Sequence, residues 1–288
     1  MNFFKTMSLL IVLSAILVGA GALLGGTGGA TVAFLIALVM NGVSYFFSDK
    51  IVLATYGARE VGEGDAPVLY RVTRRLADKM GMPMPKVCIA PSASPNAFAT
   101  GRSPDHAAVC ATAGILELLD EEELEGVMAH ELSHVKNRDT LIMTVAGTIS
   151  AAISYLGHMA MWFGGRRDRG GNLIGTLLVA LLAPLAALIV QLWVSRTREF
   201  AADHSGSLLT GNPKALERAL QKIHQGAARV PLDEGTPATA HLMIAPAFGE
   251  DGWVSSLFST HPSLARRVAA LEELDSELNG SRKFMRPA

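Results

Sequence analysis

Apolar residues occur along the chain in long blocks separated by charged segments. No charged residue occurs between Lys5 and Asp49, and the glycine-rich stretch 25–29 divides this block into two apolar runs, 6–24 and 30–47. About twenty apolar residues are needed for a helix to cross the hydrocarbon core of a bilayer. The pattern therefore predicts an N-terminal hairpin of two membrane-spanning helices.

A second pair of apolar runs lies in the middle of the chain. Residues 140–165 contain only His158 as a group that ionises near neutral pH, residues 171–195 contain none, and the arginine-rich loop 166–169 joins them. The same length argument predicts a second hairpin. A signal peptide cleaved near Ala20 is an alternative for the first run, but the next apolar run follows at once and favours retention. A transporter that uses His158 is a further alternative, although an isolated intramembrane histidine is more simply explained by packing between helices.

The remaining segments have the pattern of a water-facing domain. Apolar Leu69, Val72 and Leu76 recur at helical spacing within 65–80, and this predicts an amphipathic helix. Short runs of β-type residues predict a small sheet. The predicted strands are 86–90 and 106–111. Further helices are predicted at 120–139, from Arg198 onward, at 213–225 and after His261 and Pro262. Residues 226–259 are predicted to be an irregular connection.

The pattern as a whole predicts an α+β protein. It combines a mainly helical domain that carries a small sheet with four transmembrane helices in two hairpins. The predicted parts are the first hairpin at 1–48, the first part of the water-facing domain at 49–139, the second hairpin at 140–195 and the second part of the domain at 196–288.

Composition supports the membrane prediction and excludes several partners. Half of the residues are hydrophobic, which is too apolar for an ordinary soluble enzyme. The formal net charge is −1 and the pI is about 6.7, so bulk electrostatics favour neither nucleic acid nor an acidic substrate. Cys88 and Cys110 are the only cysteines. Two cysteines are too few for a disulfide framework, and we expect small buried thiols.

Candidate chemistry enters with residues 130–134, which read His-Glu-Leu-Ser-His. On a helix, positions i and i+4 share one face, so His130 and His134 can bind one zinc ion while Glu131 lies beside it as a base. Asp120 and Glu123 have the spacing of a capping box and mark the start of this helix. The alternative is an ordinary amphipathic helix that happens to carry two histidines.

A catalytic zinc normally has three protein ligands and one open position. Glu199 is the best candidate for the third ligand because it opens a helix just outside the second apolar pair, with Asp203 one turn later on the same face. Asp203 could accept the free N–H of a metal-bound imidazole. Two membrane crossings between His134 and Glu199 return the chain to the same side, so the two can meet. A solvated helix face is the alternative.

These motifs together resemble the HtpX family of bacterial membrane zinc metalloproteases. The segments that carry the resemblance are 96–101, 130–134, 199–203 and 260–264 with Arg267. The resemblance implies a gluzincin-like catalytic domain on the cytoplasmic face of the bacterial inner membrane, and a role in stress-linked quality control of membrane proteins. It also implies one zinc ion per chain, held by His130, His134 and Glu199, with Glu131 as general base.

Two further assignments rest partly on this resemblance. His261 and Arg267 are candidate donors to a developing oxyanion, although a helix cap and a solvated arginine would explain them equally well from sequence. The second assignment is a rim strand on which an extended protein or peptide substrate is laid by β-augmentation. The residues of this rim strand are Asn96, Ala97, Phe98 and Ala99.

Positive residues that flank the apolar runs favour a cytoplasmic catalytic domain. Seven lie on the catalytic side, and Arg166, Arg167 and Arg169 lie on the other. This arginine loop is a counter-signal: either it translocates despite its charge, or the second hairpin spans incompletely. A membrane-bound metal scaffold without turnover is the competing functional class, and it would bind zinc without chelator-sensitive cleavage.

Overall fold

The computed structural model of the protein describes residues 2–141, 196–230, 244 and 262–284. The second predicted hairpin beyond residue 141, including His158, lies outside this part, as does His261. The described helices are α1 (Asn2–Thr55), α2 (Pro67–Met80), α3 (Ala113–Leu118), α4 (Glu121–Lys136), α5 (Arg196–Thr210), α6 (Pro213–Arg229) and α7 (Leu264–Phe284); the strands are β1 (Arg59–Glu60), β2 (Lys86–Ala90), β3 (Ala97–Gly101) and β4 (Ala107–Thr112).

Helix α1 consists of two arms, because the backbone leaves helical geometry at Gly25 and Gly26. Gly26 has φ 59° and ψ −143°, a combination that glycine adopts readily because it lacks a Cβ. The chain then folds back, and the side-chain amide of Asn41 donates a hydrogen bond to Ser14 Oγ at 2.8 Å. The glycine-rich stretch that separates the two apolar runs therefore does reverse the chain.

Among the described residues, one helical segment is long and apolar enough to cross a membrane. It is Gly25–Phe47, and its side chains are mostly exposed in the isolated chain. The apolar segment of the first arm, Leu10–Gly19, is shorter. The described ranges thus contain one candidate span, and the arrangement with four spans stays a prediction.

The second arm of α1 runs on beyond its apolar part to Thr55. Val52, near the end of this arm, and Tyr56, the first residue after it, pack against one face of the sheet. The rings of Tyr56 and Phe98 lie 4.7 Å apart. The predicted boundary between hairpin and water-facing domain therefore falls inside the second arm of α1, which runs from one part into the other.

The four strands form one mixed sheet in the order β1, β2, β4, β3. The β2 and β4 strands are parallel, whereas β3 is antiparallel to β4 and lies at an edge. The predicted strand 86–90 is confirmed. Cys88 and Cys110 are register partners on β2 and β4, and both are free and buried, as expected. Burial raises the pKa of the Cys88 thiol to about 11, so it is protonated and unreactive at neutral pH.

Helix α4 lies at the centre of the fold and packs against α2, α5, α6 and β3. Its start is the predicted capping box: the Glu123 N–H donates to Asp120 Oδ1 at 2.9 Å, and the Asp120 N–H donates to Glu123 Oε2 at 3.1 Å. Apolar residues of α4 join the main core with residues of the sheet and the surrounding helices. Burial of this face is what holds α4, and with it the His-Glu-Leu-Ser-His segment, in place.

Helix α5 approaches α4 closely at a glycine. A Cβ added to Gly206 would lie 2.9 Å from the backbone nitrogen of His130 and 3.0 Å from the carbonyl carbon of Ala129. Ordinary Cβ contacts are not this short, so the absence of a side chain at Gly206 lets the two helix backbones pack together. The approach brings the first turn of α5 beside the histidines of α4.

Candidate metal centre and active site

The two histidines of α4 point into one buried site. His130 and His134 are each about 3% exposed, and their Nε2 atoms lie 3.2 Å apart. Glu199, in the first turn of α5, is equally buried. Its Oε1 lies 3.3 Å from His134 Nε2, and its Oε2 lies 3.6 Å from His130 Nε2. The structure therefore brings together the three residues that the sequence predicted as ligands.

The spacing of these atoms can be compared with that of a tetrahedral metal. Histidine and carboxylate atoms about 2.0 to 2.2 Å from a zinc ion are separated from one another by roughly 3.3 to 3.6 Å when the geometry is tetrahedral. The observed separations of 3.2, 3.3 and 3.6 Å are close to these values. Within the described part of the chain, these residues form the one group suited to hold a metal ion. The donor set and its spacing fit zinc.

A carboxylate and an arginine support His130 from behind. Asp203 Oδ1 lies 2.8 Å from His130 Nδ1, the nitrogen that faces away from the ligand group. Arg267 of α7 donates two hydrogen bonds to Asp203, at 2.8 Å from Nε and 2.6 Å from a terminal nitrogen. The contact predicted for Asp203 is thus present. Burial would raise the pKa of Asp203, but the guanidinium of Arg267 and the His130 ring outweigh it and hold that pKa below its usual value.

A second carboxylate and a second arginine lie behind His134, and sequence reasoning missed both. Asp139 Oδ2 is 3.4 Å from His134 Nδ1, and Arg198 donates to Asp139 Oδ1 at 2.8 Å. Asp139 is only 4% exposed. Each histidine therefore has a carboxylate on its outer nitrogen and an arginine that pairs with that carboxylate.

The acidic surroundings change the proton affinity of the histidines. Burial alone lowers the pKa of His134, but Asp139, Glu199 and Glu131 more than compensate and raise it to about 10. The pKa of His130 is also raised, because Asp203 and Glu199 outweigh burial and the opposing charge of Arg267. The site as a whole stabilises positive charge at the centre of the ligand group.

Glu131 lies between the ligand group and the edge strand. Its Oε2 accepts a hydrogen bond from the backbone N–H of Ala99 at 3.0 Å. Ala99 belongs to β3, and its N–H points away from β4 toward α4. The base predicted from sequence and the strand predicted to bind substrate are therefore direct neighbours.

The other predicted site residues have more specific surroundings than the sequence suggested. Asn96 lies just before β3, and its side-chain oxygen accepts a hydrogen bond from the backbone N–H of Ile244 at 3.0 Å. Ala97 and Ala99 face the main core, whereas Phe98 faces the smaller cluster on the opposite side of the sheet. Arg267 is buried against Asp203, and its third guanidinium nitrogen lies 3.8 Å from Glu199 Oε2. His261 lies outside the described residues.

The site has the features of a metalloprotease. It combines two histidines one helical turn apart with a glutamate from a second helix. A further glutamate lies beside them, and an edge strand runs along the site. Comparison with known proteins agrees with this class. The chain belongs to peptidase family M48, whose family model matches residues 64–275.

Curated relatives share about half of their residues with this chain over almost its entire length. A protease HtpX homolog of Syntrophotalea carbinolica is 52% identical over 95% of this chain and 99% of the relative. A protease HtpX homolog of Burkholderia ambifaria is 50% identical over 95% of this chain and 97% of the relative. The predicted membership of the HtpX group is thereby confirmed, and the protein is a metalloprotease.

A solved structure shows the same fold at much lower sequence similarity. The crystal structure of S. mikatae Ste24p matches 92% of this chain with a TM-score of 0.51 and 18% identity. This chain spans 62% of the length of that protein. The similarity supports a shared fold of helices around a small sheet.

Proposed function

We propose that the protein is a membrane-bound zinc endopeptidase that hydrolyses peptide bonds with Glu131 as general base. The observation that carries this proposal is the ligand group of His130, His134 and Glu199, with the Glu131 carboxylate between that group and the edge strand. A zinc ion bound there would polarise the scissile carbonyl and lower the pKa of a coordinated water toward about 7.

We assign the proton transfers of the reaction to Glu131. Its carboxylate takes a proton from the attacking water and later gives it to the nitrogen of the leaving amine. Ala99 N–H, which donates to this carboxylate, keeps Glu131 at the outer edge of β3. A peptide that lies along β3 therefore places its scissile bond near the base, as expected for binding by β-augmentation.

We assign Asp203 to orient His130, and Arg267 to orient Asp203. The two short hydrogen bonds from Arg267 go to this carboxylate, and a longer contact of 3.5 Å reaches His130 Nδ1. These contacts favour a positioning role over direct contact with an oxyanion. His261 keeps the proposed role of oxyanion donor.

We further propose a location in the bacterial inner membrane with the catalytic domain in the cytoplasm, and protein substrates that include damaged membrane proteins. The apolar helix Gly25–Phe47 supports the membrane location. The excess of flanking lysine and arginine on the catalytic side supports the orientation. A reporter fused at Arg167 tests the arrangement with four spans: a periplasmic signal supports it, and a cytoplasmic signal contradicts it.

The catalytic assignment is tested with Glu131→Gln. We expect casein cleavage by the purified, zinc-loaded protein to fall by roughly 10² to 10⁴, with zinc content unchanged because Glu131 is not a ligand. Glu122→Gln on the same helix is the matched control, since its side chain is 70% exposed, and it should cleave like the parent. Unchanged cleavage by Glu131→Gln would exclude this residue as the base. Zinc binding without any chelator-sensitive cleavage by the parent would instead favour a metal-binding scaffold.

Natural substrates can be sought with the same variant. Proteomics of membrane fractions from cells carrying the parent or Glu131→Gln should show proteins that accumulate only with the inactive variant. If no membrane protein changes in abundance, the proposed quality-control role is wrong, whereas the chemistry tested with casein still stands.

A further inference from the structure

Asp139 and Arg198 form an ion pair that the catalytic chemistry does not use. The pair is short, at 2.8 Å between Arg198 and Asp139 Oδ1, and largely buried, with side-chain exposures of 16% and 6%. The other carboxylate oxygen of Asp139 lies 3.4 Å from His134 Nδ1. The bond to Arg198 holds the Asp139 carboxylate in a fixed orientation. That orientation directs its other oxygen toward His134 Nδ1.

The position of the pair along the chain is equally specific. Asp139 follows α4 by three residues, and Arg198 lies in the first turn of α5, directly before Glu199. The sequence predicts the second membrane hairpin between them. The pair therefore joins the residue at which the chain leaves α4 to the residue at which it returns in α5.

Each partner of the pair lies next to a different proposed metal ligand. Asp139 contacts the outer nitrogen of His134 and so restrains the rotation of that ring. Arg198 connects the first turn of α5 to Asp139 through its bond of 2.8 Å, and Glu199 is its next residue. Gly206 holds a later turn of the same helix against His130, so the pair supplies the second point that sets the position of α5.

We propose that Asp139 and Arg198 act together as a positioning pair that aligns His134 and Glu199 for metal binding. The pair also holds the segment that follows α4 next to the first turn of α5. This inference rests on the proposed metal centre. It assigns Asp139 and Arg198 to positioning and gives neither of them contact with substrate.

The test is a double-mutant cycle on the full-length protein in detergent, with Asp139→Asn, Arg198→Gln and the combined variant. The readouts are the zinc dissociation constant from chelator competition and the visible absorption spectrum of the cobalt-reloaded protein, which reports ligand geometry. We expect each single variant to bind zinc about 10- to 100-fold more weakly and to show an altered cobalt spectrum. The combined variant should be little worse than either single one, because both changes break the same unit.

Two matched variants separate positioning from general effects of charge and folding. Lys136→Gln removes an exposed positive charge from the same end of α4 and should bind zinc like the parent. Arg198→Lys keeps the charge and should recover part of the affinity lost in Arg198→Gln. It also serves as the informative variant if Arg198→Gln does not fold.

Three results would overturn the proposal. Zinc affinity within twofold of the parent in both single variants would show that the pair positions nothing. Additive losses in the combined variant would show that Arg198 does not act through Asp139, and an equal loss in Lys136→Gln would point to bulk charge. A failure of the proposed metal centre looks different, because the parent protein itself would then fail to bind zinc.

Discussion

Helix α4 carries charged pairs at its start and in its second half, in opposite environments. At the first turn, Glu121 and Arg71 are paired at 2.7 Å, but their side chains are 40% and 51% exposed. In the second half, His130 and Asp203 are paired at 2.8 Å, and both are less than 5% exposed. The pair distances are nearly the same, whereas the exposure of the side chains differs about tenfold.

Burial determines what happens when one partner is removed. An exposed charge that loses its partner is solvated by water, and salt already screens the pair. A buried charge that loses its partner has no substitute for it, and this typically costs 3 to 5 kcal/mol. Removal of one partner is therefore expected to cost little at the start of α4 and much more around the proposed ligands.

The largest effect on stability is expected for Arg267→Met. This change leaves the buried carboxylates of Asp203 and Glu199 without the guanidinium that faces both. We expect a loss of about 3 kcal/mol or more in the free energy of unfolding, measured by denaturant titration of the metal-free protein in micelles. Arg71→Met is the matched control from the exposed end of α4. Equal losses in the two variants would show that burial is not the deciding factor.

The next effect is a dependence of zinc affinity on pH. The pKa of His134 is raised to about 10, so near pH 7 its ring carries a proton that zinc must displace. The pKa of His130 is raised as well, because Asp203 and Glu199 outweigh burial. Affinity should therefore fall as the pH is lowered and rise with pH up to the region of the His134 pKa. One displaced proton corresponds to a change of up to about tenfold per pH unit. Calorimetry in buffers of different ionisation enthalpy counts the protons, and a count of zero would contradict the raised values.

A smaller effect is expected from the cap of α4. Asp120→Ala removes the acceptor for the Glu123 N–H, and the loss should be about 1 kcal/mol in the free energy of unfolding. Asp120→Asn keeps an acceptor oxygen and should lose less. Zinc affinity should be unchanged in both variants, because His130 lies more than two turns away. A large loss of zinc affinity in Asp120→Ala would show that the two ends of the helix are coupled after all.

The smallest effect is expected for Glu121→Gln at the exposed start of α4. Its pKa is lowered mainly by the hydrogen bond from Arg71, but water solvates both groups. We expect the melting temperature to be indistinguishable from that of the parent at physiological salt. A clear decrease that disappears in high salt would show that the exposed network contributes more than its burial suggests.

Local signals made much of this fold predictable. The capping box at Asp120 and Glu123 depends on residues three apart, and strand 86–90 has β-type residues bounded by prolines, so both could be identified without tertiary information. The third ligand needed one additional argument, namely that two membrane crossings allow Glu199 to reach His134. Its position in the first turn of a helix then followed from the pattern.

The contacts of Asp139 could not be predicted in the same way. Its partner Arg198 is 59 positions away in the chain, and neither residue has a distinctive local pattern. The available signals were an acid five residues after His134 and an arginine directly before Glu199. From sequence, Asp139 was only the last residue of the predicted helix 120–139, and Arg198 was one of the positive residues that flank the apolar runs. The continuation of α1 to Thr55 was missed because Asp49 and Lys50 look like the end of a membrane helix, whereas the helix persists by packing on the sheet.

The division of the ligands between α4 and α5 has a consequence during synthesis of the protein. His130 and His134 leave the ribosome well before Glu199, and Arg267 follows later still. A nascent chain that ends before Glu199 has two of the three proposed ligands and so lacks the complete group that we propose to hold zinc. A truncation after Arg198 should therefore lose zinc on gel filtration and cleave nothing. If this holds, the order of synthesis itself delays proteolytic activity until α5 and the helices that follow it have been made.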